Sequence, residues 1–389
     1  METKTAKSKQ ISRNFTPLTK ASSYFLFGPR GTGKSTFLRE QYQNAKVVDL
    51  LDDKTYVSLN NDPARLEPII QSMHKGEVLI IDEVQKSPAL LSKIHQIMES
   101  PAFPKIQFIL TGSSSRKLKQ KGADLLAGRA IIKTMHPFMA SELGKHFNLE
   151  SSLELGLVPV VWSSLNPSET LSSYIALYLR EEVKQEQLVR NLEAFSRFLE
   201  AMSFSHGEIL NLSNVARECS VKRSTIEGYL EVLEDLLLGY RISSFKKRNR
   251  KQTIESEKFY FFDTGVFRSL RPTGPLDPQE TSVGQALEGL VMQNLKAWIA
   301  YRNKNEQIYF WRTKSSNEVD FVIYGPKTFM AIEVKNSNKL SNDHFSGLKS
   351  FKEDYPEAEC ILLYRGKMRE KRFGIDCVPV SEFLLSLTV

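Results

Sequence analysis

The segment YFLFGPRGTGKSTFLRE, residues 24–40, changes character twice within its length. It begins with the apolar run Tyr24 to Phe27, which predicts a short buried strand, and it ends in residues that favour helix. Between them lie residues 28–35, Gly-Pro-Arg-Gly-Thr-Gly-Lys-Ser, a full match to the pattern G-x-x-x-x-G-K-[ST]. The order of strand, glycine-rich loop and helix predicts a phosphate-binding loop in an α/β domain.

This loop predicts ATP as a ligand and Mg²⁺ as its metal. Its glycines allow the backbone to wrap closely around phosphates with the N–H groups pointing inward. We expect Lys34 to reach the β and γ phosphates and Ser35 to bind Mg²⁺. The candidate ATP-binding residues are Gly28, Pro29, Arg30, Gly31, Thr32, Gly33, Lys34, Ser35 and Thr36.

A second predicted strand carries two acidic residues at its end. VLIIDE, residues 78–83, is apolar up to Asp82 and Glu83, as in a central parallel strand whose carboxyl end faces the site. We expect Asp82 to hold Mg²⁺ and Glu83 to polarise the attacking water. The alternative is that both acids only cap a helix that starts near Ser87-Pro88.

A third predicted strand, residues 106–110, is followed by TGSSSRKL. This order brings Thr111, Ser113 and Ser114 to the same sheet edge, where one hydroxyl could sense the γ phosphate or align water. Capping of the strand end is the alternative, since Thr and Ser commonly serve that purpose. Thr111 is therefore the candidate catalytic residue at the end of this strand.

An arginine lies just before a further predicted strand, residues 130–134. Arg129, in GADLLAGRA, could act as an arginine finger on the nucleotide of a neighbouring subunit. Arg116 is a competing candidate, and a surface salt bridge is the alternative for both. The candidate catalytic residues are therefore Lys34, Glu83, Thr111 and Arg129.

Composition indicates an ordinary soluble chain of several domains. Its 389 residues suffice for two or three domains, and its 41% hydrophobic and 25% charged content is typical of globular proteins. The net charge of +8 permits a polyanionic partner without requiring one. Cys219, Cys360 and Cys377 are far apart, which argues against a zinc site or a disulfide framework. Because no run of about 18 apolar residues occurs, we expect a cytoplasmic protein that does not associate with a membrane.

Several motifs together resemble one family. They are GPRGTGKST, LIIDEVQ, LTGSSS, LLAGR, HPFMASEL, YLREEV, FYFFDTGV and EVDFVIYGPKTFMAIEVKNS. This set is similar to prokaryotic AAA-type ATPases fused to a C-terminal domain of unknown function. The resemblance implies an AAA+ P-loop ATPase core, a winged helix and a restriction-endonuclease-like domain of the PD-(D/E)xK type. It also implies a homo-oligomer, with a hexameric ring as one arrangement. LGLVPV, residues 155–160, departs from the pattern, since a glycine pair before the proline is more usual.

The middle of the chain reads as helical and then as a helix-turn-helix. Residues 149–203 show apolar spacings of three and four, which predict a helical subdomain packed on the ATPase core. Ser213 and Ser224 are expected to cap two successive helices, and the strands 240–245 and 258–262 would enclose a basic wing. The candidate DNA-binding residues are Lys222, Arg223, Ser224, Lys246, Lys247, Arg248, Arg250 and Lys251. A protein-docking module and a solvated basic loop are the alternatives.

The C-terminal part predicts a long helix, three strands, a helix and a strand, the order of the restriction-endonuclease core. Asp320 on the second strand and Glu333 and Lys335 on the third occupy the places of that core's catalytic residues. Two carboxylates suit Mg²⁺, and a lysine can orient the attacking water. Glu288 is a supporting candidate, and Glu318 is a less certain fourth acid. The alternative is a solvated hairpin with cross-strand Glu–Lys pairs.

These patterns predict an α/β protein with four domains. They are an AAA+ P-loop ATPase core with a parallel sheet at 1–145, a helical lid at 146–203, a winged helix-turn-helix at 204–275 and a PD-(D/E)xK nuclease-like domain at 276–389. The predicted function is that of an ATP-hydrolysing, DNA-binding oligomer, a motor or remodeller of branched or duplex DNA. The alternatives are an ATP-dependent, Mg²⁺-dependent nuclease and a slow nucleotide switch that binds DNA or protein.

Overall fold

The computed structural model of the chain describes residues 11–17, 22–113, 126–179, 191–246, 256–274, 279–314 and 317–389. The chain forms two compact units. The first unit comprises Phe15–His136 and Asp235–Leu237, and the second comprises Pro137–Glu234 and Leu238–Val389 together with the described residues up to Asn14. No helix within the described residues is both long and apolar enough to span a membrane.

A five-stranded parallel sheet forms the centre of the first unit. Its strands are β1 (Ser23–Phe27), β2 (Lys46–Asp49), β3 (Val78–Asp82), β4 (Gln107–Gly112) and β5 (Ala130–Thr134), in the order β2-β3-β4-β1-β5. The sequence predicted every strand except β2. That strand is only KVVD, and its Val47 is 52% exposed, so the segment lacks the continuous apolar run that marks the buried strands.

Helices and short turns connect these parallel strands. The helices are α1 (Lys34–Gln41), α2 (Asp53–Asn61), α3 (Leu66–Gln71) and α4 (Ala89–Glu99), and the 3₁₀ turns are Pro63–Arg65, Val84–Lys86 and Leu126–Gly128. Phe25, Ile81 and Leu110 from the strands pack with Leu90 and Ile94 of α4 in one hydrophobic core. Because the middle strands are buried along their whole length, their carboxyl ends are held in fixed relation to one another.

Short helices open the second unit. They are α5 (Ala140–Leu143), α6 (Leu149–Leu155), α7 (Pro159–Trp162) and α8 (Pro167–Ser173), followed by the π-helical segment Tyr174–Leu179 and, after an undescribed stretch, α9 (Leu192–Phe204). The two compact units meet along the chain between His136 and Pro137. The predicted lid residues pack here within the second unit: α6 lies against later helices of the same unit.

A helix-turn-helix and a hairpin follow. Their elements are α10 (Leu212–Glu218), α11 (Arg223–Asp235), β6 (Gly239–Ser243) and β7 (Glu257–Phe261), with β6 and β7 antiparallel. The predicted caps are wrong, because Asn211 caps α10 by accepting from the Asn214 N–H, and Ser213 and Ser224 lie inside the helices. The side-chain oxygen of Asn211 is the hydrogen-bond acceptor that was expected from the Ser213 hydroxyl, and Asn211 lies two residues earlier in the chain.

The FDTGV motif ties the hairpin to α6. Asp263 caps α12 (Thr264–Leu270) and also accepts a hydrogen bond from the Leu157 N–H at 2.7 Å. Gly156 has φ +73°, and a Cβ on it would clash with the Asp263 carboxylate. The segment 155–160, which lacks the usual glycine pair, therefore keeps Gly156, the glycine that the contact with Asp263 requires.

The rest of the second unit is a six-stranded mixed sheet with helices. The strands are β8 (Gln307–Arg312), β9 (Glu318–Gly325), β10 (Thr328–Lys335), β11 (Glu359–Tyr364), β12 (Glu370–Arg372) and β13 (Ile375–Pro379), in the order β12-β13-β11-β10-β9-β8. The helices are α13 (Gln279–Arg302), α14 (Ser346–Asp354) and α15 (Val380–Ser386), with a 3₁₀ turn at Asn342–Phe345. The predicted order of helix, three strands, helix and strand is present, and β12, β13 and α15 extend it.

The hairpin and this sheet are joined directly. The Phe245 N–H donates to the Phe310 carbonyl oxygen at 2.6 Å, and Ser244 forms a bridge with the same residue. The Phe245 ring packs among the aromatic side chains of Tyr309 and Phe329 on the sheet and of Tyr355, directly after α14. The two predicted domains therefore share one hydrophobic cluster.

Candidate active site

The glycine-rich loop lies between β1 and α1, as the sequence predicts. A Cβ at Gly28 would clash with the Met135 carbonyl oxygen, and Gly33 has φ +87° where α1 begins. The Lys34 ammonium is buried and donates to the carbonyl oxygens of Gly28 at 2.7 Å and Pro29 at 3.2 Å. The loop thus curls around the lysine that is expected to bind phosphate.

Asp82 lies next to this loop at the end of β3. Its Oδ2 accepts a hydrogen bond from Ser35 Oγ at 2.7 Å, and its Oδ1 accepts one from Thr111 Oγ1. The Thr111 hydroxyl also accepts from the Glu83 N–H at 3.3 Å. Four of the predicted residues are therefore joined in one hydrogen-bonded chain that spans α1, β3 and β4.

Glu83 follows Asp82 in a left-handed backbone conformation, with φ +59°. This conformation is uncommon for a residue with a side chain. The Glu83 carboxylate accepts from Gln85 Nε2 at 2.5 Å, and the same amide lies 3.3 Å from Ser113 Oγ. Gln85 was missed at the sequence level, because an amide two residues after Glu83 predicts nothing until the 3₁₀ turn brings it back over the carboxylate.

The residues of this site suit a nucleotide with Mg²⁺. A serine hydroxyl and a carboxylate are hard oxygen ligands of the kind that Mg²⁺ prefers, and they already lie side by side. Gln85 Oε1 is buried against Gly112 with no hydrogen-bond partner among the described residues, while the Gln85 Nε2 is the atom that contacts Glu83. The lysine and the glycine-rich backbone supply the positive and N–H groups that phosphates need.

The predicted arginine finger lies at the end of the first unit's last loop. Arg129 forms an ion pair with Glu99 of α4, and its side chain is 38% exposed. The competing Arg116 and the neighbouring Ser114 lie outside the described residues. Within the described first unit, Arg129 therefore has an intramolecular partner that a neighbouring subunit's nucleotide would have to replace.

The predicted nuclease-like residues also come together. Glu288 of α13 and Asp320 of β9 both face the Nζ of a lysine, while Lys335 Nζ lies 2.5 Å from Glu333 Oε1 on β10. Asp320 Oδ2 accepts from the Val334 N–H at 2.8 Å, which fixes it against β10. Sequence spacing predicted this group of four side chains from three elements.

The lysine at the centre is Lys258 of β7, which no sequence pattern singled out. Its Nζ is 3.4 Å from Glu288 Oε1 and 3.8 Å from Asp320 Oδ1, and it also pairs with Glu318 Oε1. Within the described residues, no group of three or more His, Cys, Asp or Glu side chains is arranged to hold a metal ion. With an ammonium among its carboxylates, this group does not fit Mg²⁺.

Burial and crowding dominate the electrostatics of this acidic group. Burial, and then the charge of Asp320, raise the pKa of Glu288 to about 7. The same two causes raise the pKa of Glu333 well above its usual range. Burial alone would lower the pKa of Lys258, but Glu288, Asp320 and Glu318 together raise it, so the ammonium stays charged.

The candidate DNA-binding residues are only partly described. Lys222, Arg223 and Ser224 are exposed at the start of α11, and Arg223 forms an ion pair with Glu227 one turn later at 2.9 Å. Lys246 is exposed at the end of the described hairpin. Lys247, Arg248, Arg250 and Lys251 of the predicted wing lie outside the described residues.

Three family models match successive parts of the chain. Residues 20–144 match the AAA domain, residues 124–277 match a domain of unknown function (DUF8612), and residues 283–383 match another domain of unknown function (DUF4143). An uncharacterized protein of Mycobacterium tuberculosis is 24% identical over 381 residues, which cover 96% of this chain and 83% of that protein. An uncharacterized protein of Haemophilus influenzae is 20% identical, over 92% of this chain and 93% of that protein.

Solved structures give weaker likenesses. The Thermotoga maritima RuvB Holliday junction branch migration motor has a TM-score of 0.28 and 18% identity, over 60% of this chain and 85% of that chain. A signal transduction ATPase with a tetratricopeptide repeat sensor from Pyrococcus horikoshii has a TM-score of 0.22 and 14% identity, over 73% of this chain and 46% of that chain. TM-scores this low carry no argument.

The first unit is an α/β P-loop ATPase core of the AAA type. The family match over residues 20–144, the parallel sheet and the glycine-rich loop agree on this class. Residues 283–383 match a domain whose function is unknown, so this match assigns no activity to that part of the chain.

Proposed function

We propose that this protein is a Mg²⁺-dependent ATP hydrolase that binds DNA and works as a homo-oligomer. The observation that carries the first part is the hydrogen-bonded chain from Ser35 through Asp82 and Thr111 to the Glu83 backbone. It supports a site in which the metal-binding and water-activating residues are already positioned before the nucleotide arrives.

The roles follow from the chemistry of each side chain. Ser35 Oγ and the Asp82 carboxylate would hold Mg²⁺, which when bound neutralises charge on the β and γ phosphates. Lys34 would exchange its carbonyl partners for phosphate oxygens. Glu83 would take up a proton from the attacking water, and the Thr111 hydroxyl would keep the two neighbouring carboxylates in register.

Gln85 is a positioning residue in this proposal. Its amide donates to the Glu83 carboxylate, so it sets the direction in which that base points. The link from Gln85 to Ser113, directly after β4, would let a change at the end of that strand reach the Glu83 carboxylate at the end of β3. Ser113 would thereby be a second polar contact from the segment that carries Thr111.

The substitution Glu83→Gln tests the hydrolysis step. It keeps the shape and the acceptor oxygen but removes the base, so ATP should still bind while turnover falls by about 10²- to 10⁴-fold. ATP binding is measured with a fluorescent analogue and turnover by phosphate release. Glu77→Gln, at an exposed carboxylate just before β3, is the matched control and should leave both unchanged. Normal turnover in Glu83→Gln would remove Glu83 from its role.

The helix-turn-helix and hairpin support the DNA-binding part. We assign α9, α10, α11, β6 and β7 to a winged helix, in which α11 is the recognition helix and Lys222, Arg223 and Ser224 stand exposed at its start. His206 and Ile209 form isolated bridges with Phe259 and Lys258 of β7, which supports a short extended segment after the first helix of a winged helix. The six-stranded part would then be a nuclease-like fold.

Salt dependence tests the DNA contact. If Lys222 and Arg223 touch phosphates, replacing either with Ala should weaken duplex binding for every sequence and reduce the salt slope by about one. Lys54→Ala, at an exposed lysine of the first unit, controls for the loss of one positive charge. Equal binding by all variants, or no binding by the parent protein at low salt with and without ATP, would exclude this assignment.

Two alternative functions are an ATP-dependent nuclease and a nucleotide switch, and different observations bear on each. An ATP-dependent nuclease is disfavoured because the Lys258 ammonium lies among the carboxylates, and because no group of three or more acidic, His or Cys side chains in the described part of the chain is arranged to hold a metal ion. A nucleotide switch would hydrolyse ATP slowly and at a rate that DNA does not change. Steady-state ATPase measured with and without duplex, single-stranded and branched DNA separates the switch from the motor.

A further inference from the structure

Lys258 reaches from the hairpin into a cluster of carboxylates that belongs to the six-stranded part. We call Glu288, Glu318, Asp320 and Glu333 the acidic cluster. Lys258 is 3% exposed and pairs with the first three of these side chains. The contact lies wholly within the second unit, whereas the residues of the ATP site lie in the first.

The Lys258 ammonium lies among carboxylates, where a bound cation would lie, and not at the protein surface. Its Nζ faces carboxylates from two different elements, α13 and β9, and the Phe310 ring lies 5.7 Å away. Tyr260, two residues further along β7, donates to the same Glu288 Oε1 at 2.5 Å. Because side chains two apart on a strand share a face, β7 presents both groups to the cluster together.

Without Lys258, the four carboxylates of the acidic cluster would outnumber the two cations among the described residues that contact them, Lys335 and Arg312. Three of the four carboxylates face Lys258, the fourth, Glu333, faces Lys335, and Arg312 lies 3.6 Å from Glu318. Glu333 is 6% exposed, and its Oε2 is buried with no hydrogen-bond partner among the described residues. Removal of Lys258 would therefore leave buried oxygen ligands of the kind that hard divalent cations prefer.

We propose that Lys258 is the built-in cation of the acidic cluster: it excludes a divalent cation from Asp320 in the intact chain, and its removal opens a divalent-cation site. The hairpin thereby sets whether the nuclease-like residues can bind metal. Two oxygens that a metal would need, one each on Asp320 and Glu288, face the ammonium instead.

The hairpin has other attachments, so a Lys258 variant can keep the fold. Phe245 bonds to Phe310 through the backbone and packs among the aromatic side chains of the sheet. Lys258→Met keeps a similar length and an apolar stem, and it removes the charge together with its hydrogen-bond donors. Lys258→Gln is the second variant, because its amide can still donate to one carboxylate.

The test is Mn²⁺ binding by the full chain, freed of nucleotide and metal and followed by electron paramagnetic resonance. Four proteins are compared: the parent, Lys258→Met, Asp320→Asn and the double variant. Asp320→Asn subtracts binding at the ATP site, because that substitution leaves Ser35 and Asp82 untouched. Thermal melting with and without Mn²⁺ is measured on the same samples, and Lys258→Gln replaces Lys258→Met if the latter does not fold.

We expect the parent and Asp320→Asn to bind Mn²⁺ equally. Lys258→Met should gain a further stoichiometric ion together with a higher melting temperature in Mn²⁺, and both gains should be lost in the double variant. The proposal is overturned if the parent binds an ion that Asp320→Asn loses, since Lys258 then excludes nothing. It is also overturned if a folded Lys258→Met or Lys258→Gln protein gains no ion.

Discussion

Replacing Thr111 with Val examines the hydrogen-bonded chain at its midpoint. Thr111 is fully buried, donates to Asp82 and accepts from the Glu83 N–H. Valine has nearly the same shape but has no hydroxyl, so the Asp82 Oδ1 and the Glu83 N–H both lose this partner. Thr111→Ser is the matched variant, because it keeps the hydroxyl and loses only the methyl group.

The structure sets the size of both effects. A hydrogen bond to a charged group contributes about 1.5 to 3 kcal/mol, so Thr111→Val should lower the free energy of unfolding of the first unit by that amount. If the same bond holds Asp82 in the transition state, ATP turnover should fall by roughly 10- to 150-fold. Thr111→Ser loses one methyl, about 0.8 kcal/mol, and should keep most of its turnover.

Two measurements decide the outcome. Urea denaturation followed by circular dichroism gives the free energy of unfolding, and phosphate release at saturating ATP and Mg²⁺ gives turnover. The reasoning is refuted if Thr111→Val turns over ATP as fast as the parent protein. It is refuted equally if Thr111→Ser loses as much turnover as Thr111→Val, because the methyl group and not the hydroxyl would then matter.

Three further predictions concern other parts of the molecule. Burial lowers the pKa of His206 to about 3, below the 6.5 of the unfolded chain, so between these pH values acid lowers the free energy of unfolding by up to about 1.4 kcal/mol per pH unit. Urea denaturation from pH 7 to 4 should show this pH dependence in the parent protein and a smaller one in His206→Gln. Gly289→Ala would clash with the His206 ring and should cost about 1 to 3 kcal/mol in the same assay, whereas Gly284→Ala on the same helix, whose nearest atom is 3.9 Å away, should not destabilise. Arg129→Ala should lower turnover on the order of 10³-fold if it acts on a neighbour's nucleotide, and mixing it with inactive Glu83→Gln should then restore activity; no recovery on mixing would contradict action between subunits.

The sequence by itself determined the site residues that lie next to one another along the chain. The glycine-rich loop and the Asp82-Glu83 pair depend on local pattern: a turn that needs glycine and a buried strand that ends in acids. Four of the five strands of the first sheet also followed from apolar patterning, as did α13, α14 and the strands β8 to β11 of the last part, whereas β12, β13 and α15 did not. Strand β2 was missed because a short edge strand buries too little to leave such a pattern.

Only the tertiary structure decided which distant side chains meet. Gln85 acts on Glu83 because a left-handed residue and a 3₁₀ turn fold the chain back on itself, and no spacing rule predicts that return. Lys258 lies 30 residues from Glu288 and reads in sequence as an ordinary strand lysine. It becomes the cation of the acidic cluster because the hairpin packs against the C-terminal sheet. A buried charge is costly unless an opposite charge pairs with it, and here the carboxylates are its partners. Sequence therefore specified the carboxylates, and the fold decided what neutralises them.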